Sequence, residues 1–204
     1  SLRQLHGDLV SLPIGASLFA GGEAWPRAHE TITIGDVELA SPFLAAGGSG
    51  SFYLDPVFRG SVTVECDCAF DFIGECAPEF TLCVRSDEER YAASFGVRAV
   101  RIAGGEAEEG RPKGFSLERS ALPQALTSGS PVTMRVELRW PEGARQGSLH
   151  VFFAGQEVSV LDGVAAAYGR VGLSWSNCYF VLRRLAVKGT LDRGWAVEAL
   201  YRQA

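Results

Sequence analysis

Ser61-Val62-Thr63-Val64-Glu65-Cys66-Asp67-Cys68-Ala69-Phe70-Asp71-Phe72 alternates without a break. Val62, Val64, Cys66, Cys68, Phe70 and Phe72 fall on one face; Ser61, Thr63, Glu65, Asp67, Ala69 and Asp71 fall on the other. Strict period-two patterning marks a half-buried β-strand. At about twelve residues the strand is roughly twice the usual length, as expected in a large curved sheet rather than a small hairpin. The apolar row needs a core, and the polar row is free to meet water or a ligand.

The same period spreads outward from this stretch. Phe80, Leu82 and Val84 alternate with Thr81, Cys83 and Arg85, and after the acidic turn Ser86-Asp87-Glu88-Glu89, Tyr91, Ala93, Phe95 and Val97 alternate with Ser94, Gly96 and Arg98, predicting a hairpin. Met134, Val136, Leu138 and Trp140 form an inward row against Arg135, Glu137 and Arg139, closed by Pro141-Glu142-Gly143. Leu149, Val151 and Phe153 run into a tight turn at Ala154-Gly155-Gln156, from which Val158 and Val160 return. Residues 170–175 and 179–187 read as a last strand pair, residues 31–39 as a hairpin around Gly35-Asp36, and 52–54 as a short separate strand. Residues 103–114, with Gly104-Gly105, Gly110 and Pro112, read as a polar loop. The best helix candidates are 119–126, interrupted by Pro123, and 195–201. Ten or more strands without intervening helices argue for an all-β antiparallel sandwich or barrel, and at this length one two-sheet domain, residues 1–204, is the economical solution.

Composition narrows the function classes. The 204 residues are 47% hydrophobic and 21% charged, which excludes disorder and fibre. No apolar run approaches the roughly 18 to 20 residues of a membrane helix. Ser1-Leu2-Arg3-Gln4 has neither a basic n-region nor an apolar h-region, the expectation for a cytosolic chain or a trimmed secreted one. The net charge of −5 is scattered rather than blocked, which argues against nucleic acid as a partner. Cys66, Cys68, Cys76, Cys83 and Cys178 are an odd set, favouring a reducing compartment. Their alternation reads as burial, with zinc and a disulfide as the alternatives. Asp36, Asp55 and Asp162 are the acidic candidates for calcium, but no local cluster joins them, so neither metal nor cofactor is expected.

The C-terminal half also resembles a known superfamily. Pro131-Val132-Thr133-Met134, Leu149-His150-Val151-Phe152-Phe153-Ala154-Gly155-Gln156, Gly169-Arg170-Val171-Gly172-Leu173 and Tyr179-Phe180-Val181-Leu182-Arg183-Arg184-Leu185 resemble the concanavalin A-like lectin/glucanase superfamily. The likeness is to its laminin G-type and 3-keto-disaccharide-hydrolase-like bacterial domains, and it spans about residues 50 to 190. It implies an all-β, two-sheet antiparallel jelly-roll sandwich of the concanavalin A-like type and an extracellular location, the latter against the cysteine argument, while its framework motifs say little about a ligand. The glucanases of that superfamily carry Glu-x-Asp-x-(x)-Glu on one strand, with the first Glu as nucleophile and the last as acid/base. Glu65 and Asp67 match its start, but Ala69 and Phe70 stand where the last Glu belongs. Asp71 lies some 13 Å along the strand from Asp67 at about 3.3 Å per residue. A retaining glycosidase needs its two carboxylates about 5 Å apart.

Three functions follow as expectations. The first is a non-catalytic recognition module binding carbohydrate, or another polar small ligand, through the concave sheet face and adjacent loops. Its residues would be Glu65, Asp67, Arg85 and Arg98 on the polar face, with Trp175 and Asn177 at a strand end. The second is a glycoside hydrolase-like enzyme using Glu65, Asp67 or Glu137. The third is a structural or protein-interaction domain with flanking domains. His6, His29 and His150 show no metal spacing, and no Gly-x-Ser-x-Gly elbow nominates a serine nucleophile.

Overall fold

The structure, a computed structural model, describes residues 9–10, 32–33, 36–41, 44–46, 50–72, 79–85, 89–108, 111–113, 118–165, 168–176 and 178–201. In chain order the strands begin β1 Leu9–Val10, β2 Ile32–Thr33, β3 Asp36–Ser41, β4 Leu44–Ala46, β5 Gly50–Phe72, β6 Glu79–Arg85, β7 Glu89–Phe95 and β8 Ala99–Glu108. They continue β9 Arg111–Lys113, β10 Glu118–Ala121, β11 Val132–Arg139, β12 Gly147–Phe153, β13 Gln156–Val164, β14 Tyr168–Ser176 and β15 Cys178–Leu191. Helix α1, Arg193–Tyr201, follows.

β5 serves two sheets. Its first half pairs with β14, from Gly50 opposite Trp175 to Arg59 opposite Tyr168. Its second half lies between β11 and β15, with Cys66 opposite both Met134 and Leu185. At the crossover Gly189 pairs with Val62 while Thr190 pairs with Arg59, so Gly60 and Ser61 are extra residues on β5. Gly60 has φ +75°, the left-handed region that a residue without Cβ enters freely. A second irregularity, between the Tyr53–Gly172 and Val57–Arg170 pairs, holds Pro56, which has no N–H to give a ladder. Residues 52–54 are therefore part of β5.

One sheet is ordered β5-β14-β6-β7-β8-β10; the other places β15, β5, β11, β12 and β13 side by side, with β3 and β4 outside β15. All these pairings are antiparallel. Val64, Cys66, Cys68, Met134, Val136, Leu149, Val151 and Phe153 are buried from one side against Ala93, Phe95, Val100, Ile102, Val171 and Leu173 from the other. The rings of Phe95 and Phe153 meet across the layers with centroids 6.4 Å apart. This is the expected antiparallel two-sheet sandwich.

Cys66 and Cys68 are free, buried thiols, as the alternation implied. Burial pushes the Cys66 thiol well above its ordinary range, helped by the hydrogen bond and charge of Cys68 and the charge of Asp67. Cys76 lies outside the described residues.

Three local expectations are corrected. Residues 103–108 continue β8, and 111–113 pair back on it, so the Gly104-Gly105 pair is not a loop signal. A Cβ at Gly104 would collide with the Tyr91 ring and lie 3.1 Å from Leu161 Cδ2. Glycine there lets that ring cross beneath β8, where its hydroxyl oxygen accepts from the Ala165 N–H at 2.9 Å. The strands flanking Gly35-Asp36 do not pair with each other: β2 pairs with β1, and β3 with β15. The C-terminal helix starts two residues before the expected 195, because Asp192 caps it, its Oδ1 accepting from the Trp195 N–H at 3.0 Å.

Candidate functional site

The outward face of the β15-β5-β11-β12-β13 sheet collects the charged residues. Its regular ladder sets them in rows: Lys188, Thr63, Glu137, His150 and Val160 form one, and Ala186, Glu65, Arg135, Phe152 and Glu157 the next. A third contains Arg184, Asp67 and Thr133. Same-face neighbours along each strand stand about 6.6 Å apart at 3.3 Å per residue, so carboxylates and guanidiniums of adjacent strands interdigitate.

Glu65 Oε1 accepts from Arg184 Nη1 at 2.9 Å, and Glu65 Oε2 lies 4.0 Å from Arg135 Nη1. Asp67 Oδ1 accepts from the Thr133 hydroxyl at 2.6 Å, and Asp67 Oδ2 lies 4.0 Å from Arg184 Nη1. Glu137 pairs with Arg135 Nε at 3.0 Å and accepts from both Nε and Nη2 of Arg139, at 2.9 and 2.7 Å. Arg135 sits over Phe152, its guanidinium carbon 4.0 Å from the ring centroid. These side chains are partly exposed, from 17% at Glu137 to 49% at Arg139.

A β-bulge brings Arg184 here. Leu182 pairs with Cys68 and Arg184 with Asp67, leaving Arg183 as the extra residue. Leu182 and Leu185 both stay buried while Arg183 and Arg184 both face water. Strict alternation would have sent one arginine inward, so sequence reading missed Arg184.

Of the expected site residues, the structure brings together Glu65, Asp67 and Glu137. Arg85 ends β6 and Arg98 lies in the turn between β7 and β8, both in the other sheet. The expectation that they share the Glu65 face fails because β6 pairs with β14 rather than with the charged half of β5. Trp175 is on β14, half-buried against the core in the same inward row as Val171 and Leu173. It does not stand beside Glu65. Asn177 lies outside the described residues. Asp162 is exposed on β13, the side chains of Asp36 and Asp55 are not described, and no group of three or more His, Cys, Asp or Glu among the described residues is placed to hold a metal. No described helix is long and apolar enough to cross a membrane.

Sequence reading also passed over Ser148 and Glu157, which hydrogen-bond to the two ring nitrogens of His150 at 2.9 and 2.8 Å. A bulge hides this cluster too: Val151 pairs with Ser159 and Phe152 with Glu157, so Val158 is extra. Glu157 and Val160, three residues apart, then share a face.

No protein-family model matches the sequence, and no curated protein matches it. Among solved structures the chain is similar to a Crh5 transglycosylase in complex with NAG, at 10% identity over 91% of this chain and 90% of that one, with a TM-score of 0.53. It is also similar to the GH16 protein of a Bacteroides ovatus mixed-linkage glucan PUL, at 9% identity over 74% and 80% of the two chains, with a TM-score of 0.52. The carbohydrate-binding module CBM66 from Bacillus subtilis matches at 13% identity over 74% and 93%, with a TM-score of 0.43. The fold is the concanavalin A-like jelly roll, shared with the Crh5 transglycosylase and the GH16 protein.

Proposed function

We propose that the charged face of the β15-β5-β11-β12 sheet recognises carbohydrate. The observation that carries this reading is the fixed alternation of acceptors and donors across three strands: Glu65 and Asp67 between Arg184 on one side and Thr133 and Arg135 on the other. Sugar hydroxyls both donate and accept, and carboxylates and guanidiniums answer them with paired hydrogen bonds. The ion pairs hold both sets of side chains in place before a ligand arrives, which lowers the ordering cost of binding. The fold neighbours, with names that speak of carbohydrate binding and transglycosylation, support the ligand class.

Glycoside cleavage is the weaker use of the face. Ala69 occupies the strand position two beyond Asp67, and Glu65 and Glu137 have Arg135 between them. Their oxygens already receive guanidinium or hydroxyl donors, an arrangement made for readout. The same mutual pairing favours a second reading, a protein-interaction face, because charge networks of this kind also line interface rims.

Glycan-array screening followed by calorimetric titration tests the proposal. A sugar should bind, and Arg184→Ala and Glu65→Gln should each weaken it about tenfold, near 1.4 kcal/mol, with unchanged thermal melting. Failure to bind any glycan overturns it, and sedimentation showing a stable self-associated or partnered form would then support the interaction reading.

A further inference from the structure

Ser148, His150 and Glu157 form a continuous relay at the β12–β13 side of the charged face. His150 Nδ1 is 2.8 Å from Glu157 Oε2, and His150 Nε2 is 2.9 Å from Ser148 Oγ. A carboxylate only accepts, so Nδ1 carries the ring proton and Nε2 offers its lone pair to the Ser148 hydroxyl. Nucleophile, base and orienting acid thus stand in the order that activates a serine.

Two features distinguish the relay from incidental surface pairing. The Val158 bulge is what turns Glu157 onto this face. The His150 side chain is only 14% exposed, and both of its ring nitrogens are engaged. Arg139 stands opposite Ser148 in the β11–β12 ladder, its guanidinium tied down by Glu137 at 2.7 and 2.9 Å. The carbon of the same guanidinium lies 5.9 Å from the Phe152 ring centroid, so this cation is held over the neighbouring rows of the face. The other charged neighbours are Asp162, opposite Ser148 on β13, and Glu137, opposite His150 on β11.

We infer that Ser148 is the nucleophile of an acyl transfer, the hydrolysis of an O-acyl ester carried on a polar ligand of this face. Ser148 Oγ bonds to the ester carbonyl carbon as its proton passes to His150 Nε2. The tetrahedral intermediate collapses with cleavage of the carbonyl carbon to alkoxy oxygen bond, and the alcohol leaves with the proton from Nε2. Water then attacks the acyl-serine, giving a proton to Nε2 that returns to Ser148 Oγ as the carboxylic acid departs. Glu157 is a positioning residue, fixing the tautomer and ring. That the alcohol is a sugar hydroxyl rests on the carbohydrate reading above; the acyl chemistry does not.

The test is fluorophosphonate labelling followed by peptide mass spectrometry, alongside 4-nitrophenyl acetate hydrolysis. A single adduct on Ser148 is expected, lost in Ser148→Ala and His150→Asn, with kcat for ester hydrolysis lowered by about 100-fold or more in each. Glu157→Gln should lower kcat about tenfold and leave KM in place, a split that a merely structural role would not produce. Thermal melting of every variant separates chemistry from folding. An unlabelled serine in the folded protein, or Ser148→Ala hydrolysing at the wild-type rate, overturns the inference. Labelling at Ser148 without acetate release from any O-acetylated oligosaccharide supports the nucleophile and counts against the sugar as its alcohol.

Discussion

Cys66 lies in the core between β11 and β15, and its burial beside Cys68 holds it as a thiol well above the usual range. In the unfolded chain the same thiol releases its proton near pH 8.5, approximately its unperturbed value. Above that pH the native state binds more protons than the unfolded state, so stability falls as pH rises; below it the contribution is intact. Urea midpoints measured from pH 7 to 10 should therefore decline, and the decline should flatten in Cys66→Ala, by up to about 1.4 kcal/mol per pH unit. Equal slopes in the two proteins would mean that Cys66 titrates as freely folded as unfolded. At this scale the sequence revealed Glu65, Asp67, Arg135 and Glu137 as one face because a regular ladder preserves period two. It concealed Arg184 and Glu157, since each sits beside a bulge that shifts the phase by one residue. The visible trace of such a shift is an apolar spacing of three inside a strand, as in Leu182-Arg183-Arg184-Leu185.

Among the elements, β5 was half legible. Residues 61–72 declared themselves, but 52–54 read as a separate short strand, whereas the structure keeps one strand going through Pro56 and Gly60 with irregularities that let it leave one sheet and join the other. That crossover also explains why Arg85 and Arg98 are remote from Glu65: neighbours in sequence suggested neighbours in the sheet, while the pairing of β6 with β14 is set by a long-range connection. Helix α1 was partly legible at 195–201, and its true start depends on a cap rather than a period. Asp192 also donates its N–H to the Val57 carbonyl at 2.7 Å, tying the helix to β5. Trp195, Ala196 and Ala199 then face the core. Asp192→Ala should lower stability by about 1 kcal/mol, read as a lower urea midpoint with an unchanged slope. A midpoint equal to wild type would show that packing of these three residues holds the helix without its cap.

For the whole molecule, alternating rows from β5 to β15 sufficed to foresee a two-sheet sandwich, because two apolar inner faces admit few other closures. Ligand identity was less legible, because a jelly-roll frame hosts unrelated functions and what differs lies in the exposed side chains. Here those side chains form a charged lattice over β15, β5 and β11, with a serine–histidine–glutamate relay beside it. On the reading proposed above, a sugar lies on this face. Backbone amide shifts in solution NMR, followed while the best glycan from an array is titrated in, test it most directly. Perturbations should concentrate at Glu65, Asp67, Thr133, Arg135 and Arg184; shifts confined to the Trp175 end of β14, or none at saturating sugar, would mean that the charged face is not where sugar binds.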